Sequence, residues 1–178
     1  TSDKTTNSKI KKFVVKERYG SGSKKIGLNL NRKEAEIFSK SLDNPIFQPY
    51  IKGREISIDS WLSKSNKLKG LVFRNRSLII NGESRITETF EDKINEKQLI
   101  KIIEKLKLSG PINLQAIIDK NKKIHIIECN PRFGGASTAS IKLGLDMLGW
   151  SFAEFLNYNL NNYRFNRFYK KISQVRII

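Results

Sequence analysis

Residues 112–119, INLQAIID, and residues 124–130, IHIIECN, are two apolar runs separated by the polar stretch KNKK at 120–123, and they read as one β-hairpin. If 120–123 form the turn, Asp119 faces Ile124 and Gln115 falls directly opposite Glu128. Opposed residues of an antiparallel pair place their Cβ atoms about 4.5–5.5 Å apart on one face. Alternation puts Asn130 on that face too, two positions beyond Glu128. An amide, a carboxylate and a second amide thus converge, and hard oxygen donors of this kind suit magnesium (or manganese). Leu114, Ala116, Ile117, Ile126 and Ile127 are apolar on both faces, so a carboxylate among them is costly unless it is paired or metal-bound. A one-residue slip in the pairing would turn the whole set to the other face.

Immediately after the hairpin come Pro131, Arg132 and the run Phe133-Gly134-Gly135. Glycines let backbone amides approach a ligand closely, and a helix expected over 137–148 would present its N-terminus to an anion. Arg132, next to a metal site, is placed to stabilise a transferring phosphoryl group or an acyl phosphate. Upstream, Phe13-Val14-Val15 runs through the Gly/Ser turn GSGS at 20–23 into the strand IGLNL. That loop lacks a Gly-Lys-Ser/Thr ending and leads to a strand, so it is neither a Walker A nor a dinucleotide fingerprint. It can close over phosphates with backbone amides, and Lys16 just before it supplies a positive charge.

The remaining elements surround these. Asn31 caps a helix with Ala35, Phe38 and Leu42 on one face, ended by Asn44-Pro45. IFQPYI is extended, EISIDSWL alternates as a strand, and KGLVFRN and SLIING are expected as two more strands, with Asn81-Gly82 marking a turn. Leu99, Ile102, Ile103 and Leu106 form the stripe of a helix over 96–108, stopped by Ser109-Gly110-Pro111. A further helix is expected over 152–160, and the closing FYKKISQVRII reads as a last strand. Trp61, Phe73 and the Leu99 stripe belong to the core. Mixed antiparallel strands with flanking helices make the fold class α+β.

Composition bounds the function. The 178 residues are 38% hydrophobic and 29% charged, the profile of a globular chain. No apolar run reaches the roughly 20 residues of a membrane span, and no signal-peptide pattern opens the sequence. Cys129 is the single cysteine, so no intrachain disulfide forms and a reducing cytoplasm is expected; within IHIIECN the thiol reads as buried and structural. His125 is the single histidine, which leaves a catalytic triad or a histidine-based zinc site without support. The net charge of +17 admits a nucleic-acid-binding reading. Against it, the lysine pairs at 11–12, 24–25, 122–123 and 170–171 are scattered and make no stripe. The first residue is Thr1 and the opening TSDKTTNSK is polar, so the sequence is expected to be part of a longer chain.

Four segments, VVKERYGSGS, FQPYIKGREISID, INLQAIID and IIECNPRFGG, in this order and spacing, resemble the ATP-grasp superfamily, closest to its carbamoyl-phosphate-synthase-like and biotin-carboxylase-like branch. The resemblance covers residues 13–150. It implies a small lid lobe, residues 1–47, joined through a hinge at 48–51 to a larger lobe, residues 48–178, with ATP between them. It implies that Lys16 reaches the ATP phosphates beneath the loop Gly20, Ser21, Gly22 and Ser23. Gln48, Tyr50 and Ile51 would meet adenine, and Glu55 the ribose hydroxyls. Gln115, Glu128 and Asn130 would hold the metal, and Arg132 would contact the reacting group. Arg74 and Arg76, two apart on a strand near the substrate side of this branch, could grip a carboxylate. Lys25 stands where a glycine often follows the loop, and Gln115 where many members carry a carboxylate. The implied activity is an ATP-dependent ligase that joins a carboxylate to an amine, with an upstream domain supplying a further basic contact. A basic nucleic-acid-binding domain and a non-catalytic ATP-grasp remnant stand as alternatives.

Overall fold

The computed structural model describes residues 9–20 and 25–177. The chain divides into two compact units, Thr1–Lys52 and Gly53–Ile178. The boundary expected after residue 47 falls inside a strand of the first unit.

That unit is a three-stranded antiparallel sheet, order β2-β1-β3, made of β1 (Phe13–Glu17), β2 (Ile26–Leu30) and β3 (Pro45–Pro49). Helix α1 (Arg32–Ser39) starts at Asn31 through reciprocal bonds: Asn31 Oδ1 accepts from the Glu34 amide at 3.0 Å, and Glu34 Oε2 from the Asn31 amide at 2.7 Å. Phe13 and Val15 of β1, Phe47 of β3, and Ala35 and Leu42 close a small core. Pro45 and Pro49 are tolerated because β3 is an edge strand and need not donate at every position. Val14 pairs with Gln48 and Lys16 with Ile46, so Lys16 and Gln48 lie on the sheet face opposite Phe13 and Val15.

The second unit is a six-stranded antiparallel sheet, order β8-β7-β4-β5-β6-β9. Its strands are β4 (Gly53–Leu62), β5 (Leu68–Ile80), β6 (Glu83–Phe90), β7 (Gly110–Asp119), β8 (Ile124–Asn130) and β9 (Ser173–Val175). One face is apolar: Ile56, Ile58, Phe73, Leu114 and Ala116 pack with Leu99 and Ile103 of α2 (Lys93–Lys105). Burying each of those two helix side chains contributes about 1.5–3 kcal/mol, enough to hold α2 on the sheet. The opposite face is divided. At one end Trp61 and Val72 pack with Leu143 and with Met147 and Trp150 of α4 (Met147–Phe155), the two indoles meeting at 5.7 Å. Beyond that end the face is mostly polar, with Ser57, Asp59, Arg74, Asn113 and Gln115 on it.

Three expectations are corrected. KGLVFRN and SLIING are one strand, β5, and the residues after Asn81-Gly82 form β6, which was not expected. Asn81 and Gly82 both have positive φ, 51° and 77°, the conformation of a type I′ hairpin turn. The helix expected over 137–148 breaks at Gly144 into α3 (Thr138–Leu143) and α4, and α4 occupies residues given in part to the helix expected over 152–160. Asp146 starts α4 by accepting from the Gly149 amide at 2.9 Å. Gly144 has φ +121°, and a Cβ there would fall 1.8 Å from the Asn166 carbonyl oxygen. Gly144→Ala is expected to lower the unfolding free energy by about 2 kcal/mol or more, read from the urea midpoint.

Candidate active site

The β7–β8 hairpin does place Gln115 opposite Glu128, by a different route from the one the spacing suggests. The turn closes on residues 120–122, with Lys122 at φ 62°, and Asp119 donates its amide to the Lys123 carbonyl at 3.0 Å. Asp119 also ties the turn down, accepting from the amides of Asn121 and Lys123 and pairing with His125 Nε2 at 2.8 Å. Ile118 therefore faces Ile124, one residue off the expected register. A bulge at Ile127 then restores it, so that Gln115 pairs with Glu128 and Asn113 with Asn130. Asn130 Nδ2 donates to Glu128 Oε1 at 2.6 Å.

β8 is an edge strand, and Glu128 and Cys129 are exposed while Asn130 is half-buried. The cost of a carboxylate buried between apolar neighbours is therefore not what fixes Glu128; its convergence with Gln115 and Asn130 is. Cys129 is not the buried thiol expected. Partial burial, and after it the Glu128 charge, push its pKa up, so the protonated thiol is a poor nucleophile. Among the described residues no group of three His, Cys, Asp or Glu could hold a metal. The donor set here is one carboxylate and neighbouring amides, which fits a hard cation that keeps several waters.

The polar face continues from β7 onto β4 and β5. Gln115 pairs with Ser57, and Ser57 with Arg74. Arg76, its side chain 5% exposed, forms an ion pair with Glu55 and donates to Gln115 Oε1 at 2.9 Å and to the Gly82 carbonyl. The carboxylate expected at the ribose and an amide expected at the metal are thus joined by one guanidinium. Arg74 is not available to grip a substrate carboxylate as expected. It is buried, with Nε and Nη2 on Asp59 at 2.7 and 3.1 Å and Nη1 on Thr87.

Asp59 is the residue that sequence reasoning missed. It is fully buried and also accepts from Asn113 Nδ2 (2.7 Å), Ser137 Oγ (2.8 Å) and Ser140 Oγ (2.6 Å). Burial alone would raise its pKa; the Arg74 charge and the bonds from Arg74, Ser140 and Ser137 override burial and hold it below the usual carboxylate range. An acid in the middle of the strand EISIDSWL, four residues past Glu55, was the available signal.

Arg132, Gly134, Gly135, Arg76 and Arg176 line a cleft of about 160 Å³ on this face. Arg176 is a second residue the sequence did not single out; it bonds Glu83 at 3.0 Å, and a Cβ on Gly135 would lie 3.0 Å from its Nη1. Arg132 is exposed and donates to the Phe133 carbonyl of its own loop. The loop does not offer a helix N-terminus to an anion as expected. α3 is six residues long, and the Gly134 amide is donated to Ser137 Oγ at 2.8 Å. A larger cavity, about 510 Å³, lies against α2 near Glu96 and Phe165 and shares no residue with the cleft.

The residues expected at the nucleotide fall in both units. Lys16 and Gly20 precede α1, and Gln48 lies within β3, with Tyr50 and Ile51 just beyond it. The Tyr50 amide is donated to the Lys12 carbonyl at 2.9 Å, so it is not open to a ligand. Ser21, Gly22 and Ser23 lie outside the described residues.

Residues 1–136 match the family described as ATP-grasp domain, and the chain belongs to that family. Among curated proteins none matches. Its fold is that of the biotin carboxylase domain of Hydrogenobacter thermophilus 2-oxoglutarate carboxylase, solved with MgADP, ADP and bicarbonate: TM-score 0.75, 14% identity, covering 93% of this chain and 41% of that one. Biotin carboxylase from Campylobacter jejuni superposes with TM-score 0.69 at 18% identity, covering 85% and 38%. N5-carboxyaminoimidazole ribonucleotide synthetase from Thermus thermophilus gives 0.65 at 15%, covering 86% and 44%. The chain therefore spans about two-fifths of the length of these proteins. No helix among the described residues is long and apolar enough to cross a membrane.

Proposed function

We propose that this chain is the nucleotide- and metal-binding part of an ATP-dependent ligase, one that activates a carboxylate as an acyl phosphate for attack by an amine or similar nucleophile. The observation that carries the reading is the opposition of Gln115 and Glu128, with Asn130 bonded to Glu128, in a strand that runs directly into Arg132 at the cleft. Membership of the ATP-grasp family and the nucleotide complexes of its structural neighbours support it. In this reading Lys16 and the loop from Gly20 to Ser23 hold the phosphates, Gln48, Ile51 and Tyr50 (through groups other than its amide) the adenine, and Glu55 the ribose. Residues 1–47 act as the lid and the rest as the body. Glu128, Asn130 and Gln115 hold magnesium or manganese. The metal, when bound, would neutralise charge on the phosphate oxygens.

A substrate carboxylate oxygen attacks the γ-phosphorus and ADP leaves. The nucleophile then adds to the acyl carbon and phosphate departs. Charge builds on phosphoryl and acyl oxygens, where the Arg132 guanidinium can stabilise it. No side-chain nucleophile is needed, which accords with an edge-strand cysteine whose thiol stays protonated. Of the two arginines expected at the substrate, Arg76 is the one left for its carboxylate, and reaching it requires exchange with Glu55. The remaining length of the neighbours suggests that a further domain supplies the rest of the nucleotide pocket.

Calorimetric titration of the full-length protein with ATP tests the reading. Saturable binding that strengthens when magnesium is added is expected; no heat of binding with magnesium present would refute it.

A further inference from the structure

We infer that Asp59 is the positioning residue for Arg132: it anchors the 131–137 loop through Ser137 and so sets where the guanidinium enters the cleft. Asp59 lies in the middle of β4, inside the fold, and is not among the residues that line the cleft. Its Oδ1 receives Ser137 Oγ at 2.8 Å, and the same hydroxyl accepts the Gly134 amide at 2.8 Å. One hydroxyl therefore links the buried carboxylate to the loop backbone, donating to one and accepting from the other. Oδ1 also receives Asn113 Nδ2, which lies under Gly134 so closely that a Cβ on that glycine would sit 2.8 Å from it. The loop thus rests on a floor of Asn113 and Ser137, both oriented by one carboxylate.

Arg132 depends on that floor because its guanidinium bonds the Phe133 carbonyl, within the loop itself. Wherever the loop goes, the guanidinium goes. Asp59 is held in turn by Arg74, whose Nε and Nη2 occupy both carboxylate oxygens. Ser140 bonds the other oxygen, Oδ2, at 2.6 Å, and fastens α3 instead of the loop. Ser137 and Ser140 are therefore a matched pair: each gives a buried hydroxyl to the same carboxylate, and one of them continues to Gly134. A misplacement of about 1 Å in a positioned group can cost on the order of 10²-fold in rate.

The role in catalysis rests on the ligase reading; the anchoring does not. Asp59→Asn leaves the Arg74 charge buried without its partner and is a poor probe of position, so Ser137→Ala and Ser140→Ala are compared. In hydrogen exchange of the protein, the peptide carrying Gly134 and Gly135 is expected to exchange at least about tenfold faster in Ser137→Ala and at the wild-type rate in Ser140→Ala. In ATP-dependent turnover, Ser137→Ala is expected to lower kcat about tenfold or more with KM for ATP within about twofold, because the nucleotide is held by other residues. Ser140→Ala is expected to change kcat less than about twofold. Equal exchange in both variants, or accelerated exchange with unchanged kcat in Ser137→Ala, overturns the inference. A wild-type protein without ATP turnover would sink the ligase reading instead, and the exchange comparison would then decide the anchoring on its own.

Discussion

Asp59→Asn is expected to lower the unfolding free energy by about 3–5 kcal/mol, measured by urea denaturation, because it strands a charge in the core. The Arg74 side chain is 2% exposed and both of its Asp59-directed nitrogens lose an anionic acceptor. An amide in place of the carboxylate also turns a donor toward groups that donate already: Arg74 Nε and Ser140 Oγ on one oxygen, or Asn113 Nδ2 and Ser137 Oγ on the other. Domains of this kind have stabilities of about 5–15 kcal/mol, so the loss is a large fraction of the whole. A double variant, Asp59→Leu with Arg74→Met, separates charge from hydrogen bonding. It removes the stranded guanidinium but leaves Asn113, Ser137 and Ser140 without their acceptor. It is expected to recover part of the loss and remain about 1–3 kcal/mol below wild type. Full recovery would mean that the carboxylate matters as a counter-ion alone.

The same pair sets a pH dependence. The folded-state pKa of Asp59 lies below its unfolded value near 3.9, so its contribution is fully present above about pH 4. It is lost as the pH falls through the depressed folded value. The Asp59 part of the wild-type stability should therefore fall away as the pH drops below about 4, and the double variant should lack that part of the acid sensitivity.

Elements with local signals were legible in the sequence. Asn31 and Glu34 identify the start of α1, Asn81-Gly82 identifies a hairpin turn, and two apolar runs around KNKK identify β7 and β8. Strand β6 was not legible because ESRITETF offers Ile86 and Phe90 as its apolar residues, whereas the residues it buries fully are Thr87 and Thr89, on the polar face beside Arg76 and Arg74. The Ile127 bulge has no composition of its own, so the opposition of Gln115 and Glu128 followed from a turn one residue too long. The edge position of β8, which exposes Glu128 and Cys129, depends on strand order and on nothing in the strand itself. Asp59 shows the same limit more strongly. Its partners at 74, 113, 137 and 140 come from β5, β7, the approach to α3 and α3 itself, and the strand partners meet it because β7 and β5 flank β4. Arg74 looked like a ligand-binding arginine for the same reason: its sequence neighbours give no hint of the acid that consumes it.

Glu128→Gln should act on chemistry and leave the fold alone, the opposite of the result at Asp59. Glu128 is exposed on an edge strand and bonds Asn130, so the urea midpoint is expected to stay within experimental error. ATP-dependent turnover is expected to fall on the order of 10²–10³-fold, the scale seen when one preorganised electrostatic contact to a developing charge is removed. The amide keeps the shape and the bond to Asn130 but not the charge, so a shift of half-saturating magnesium to higher concentration should accompany the loss of rate. Cys129→Ser provides the adjacent control. It sits one residue on, paired with Leu114 and directed to the opposite face of the strand, and should change neither turnover nor magnesium dependence. If Glu128→Gln kept wild-type turnover and wild-type magnesium dependence, the convergence of Gln115, Glu128 and Asn130 would be a surface arrangement and the metal assignment would fall. A rate lost in both variants would point to distortion of β8, since a one-residue alternation is the property that separates the two side chains.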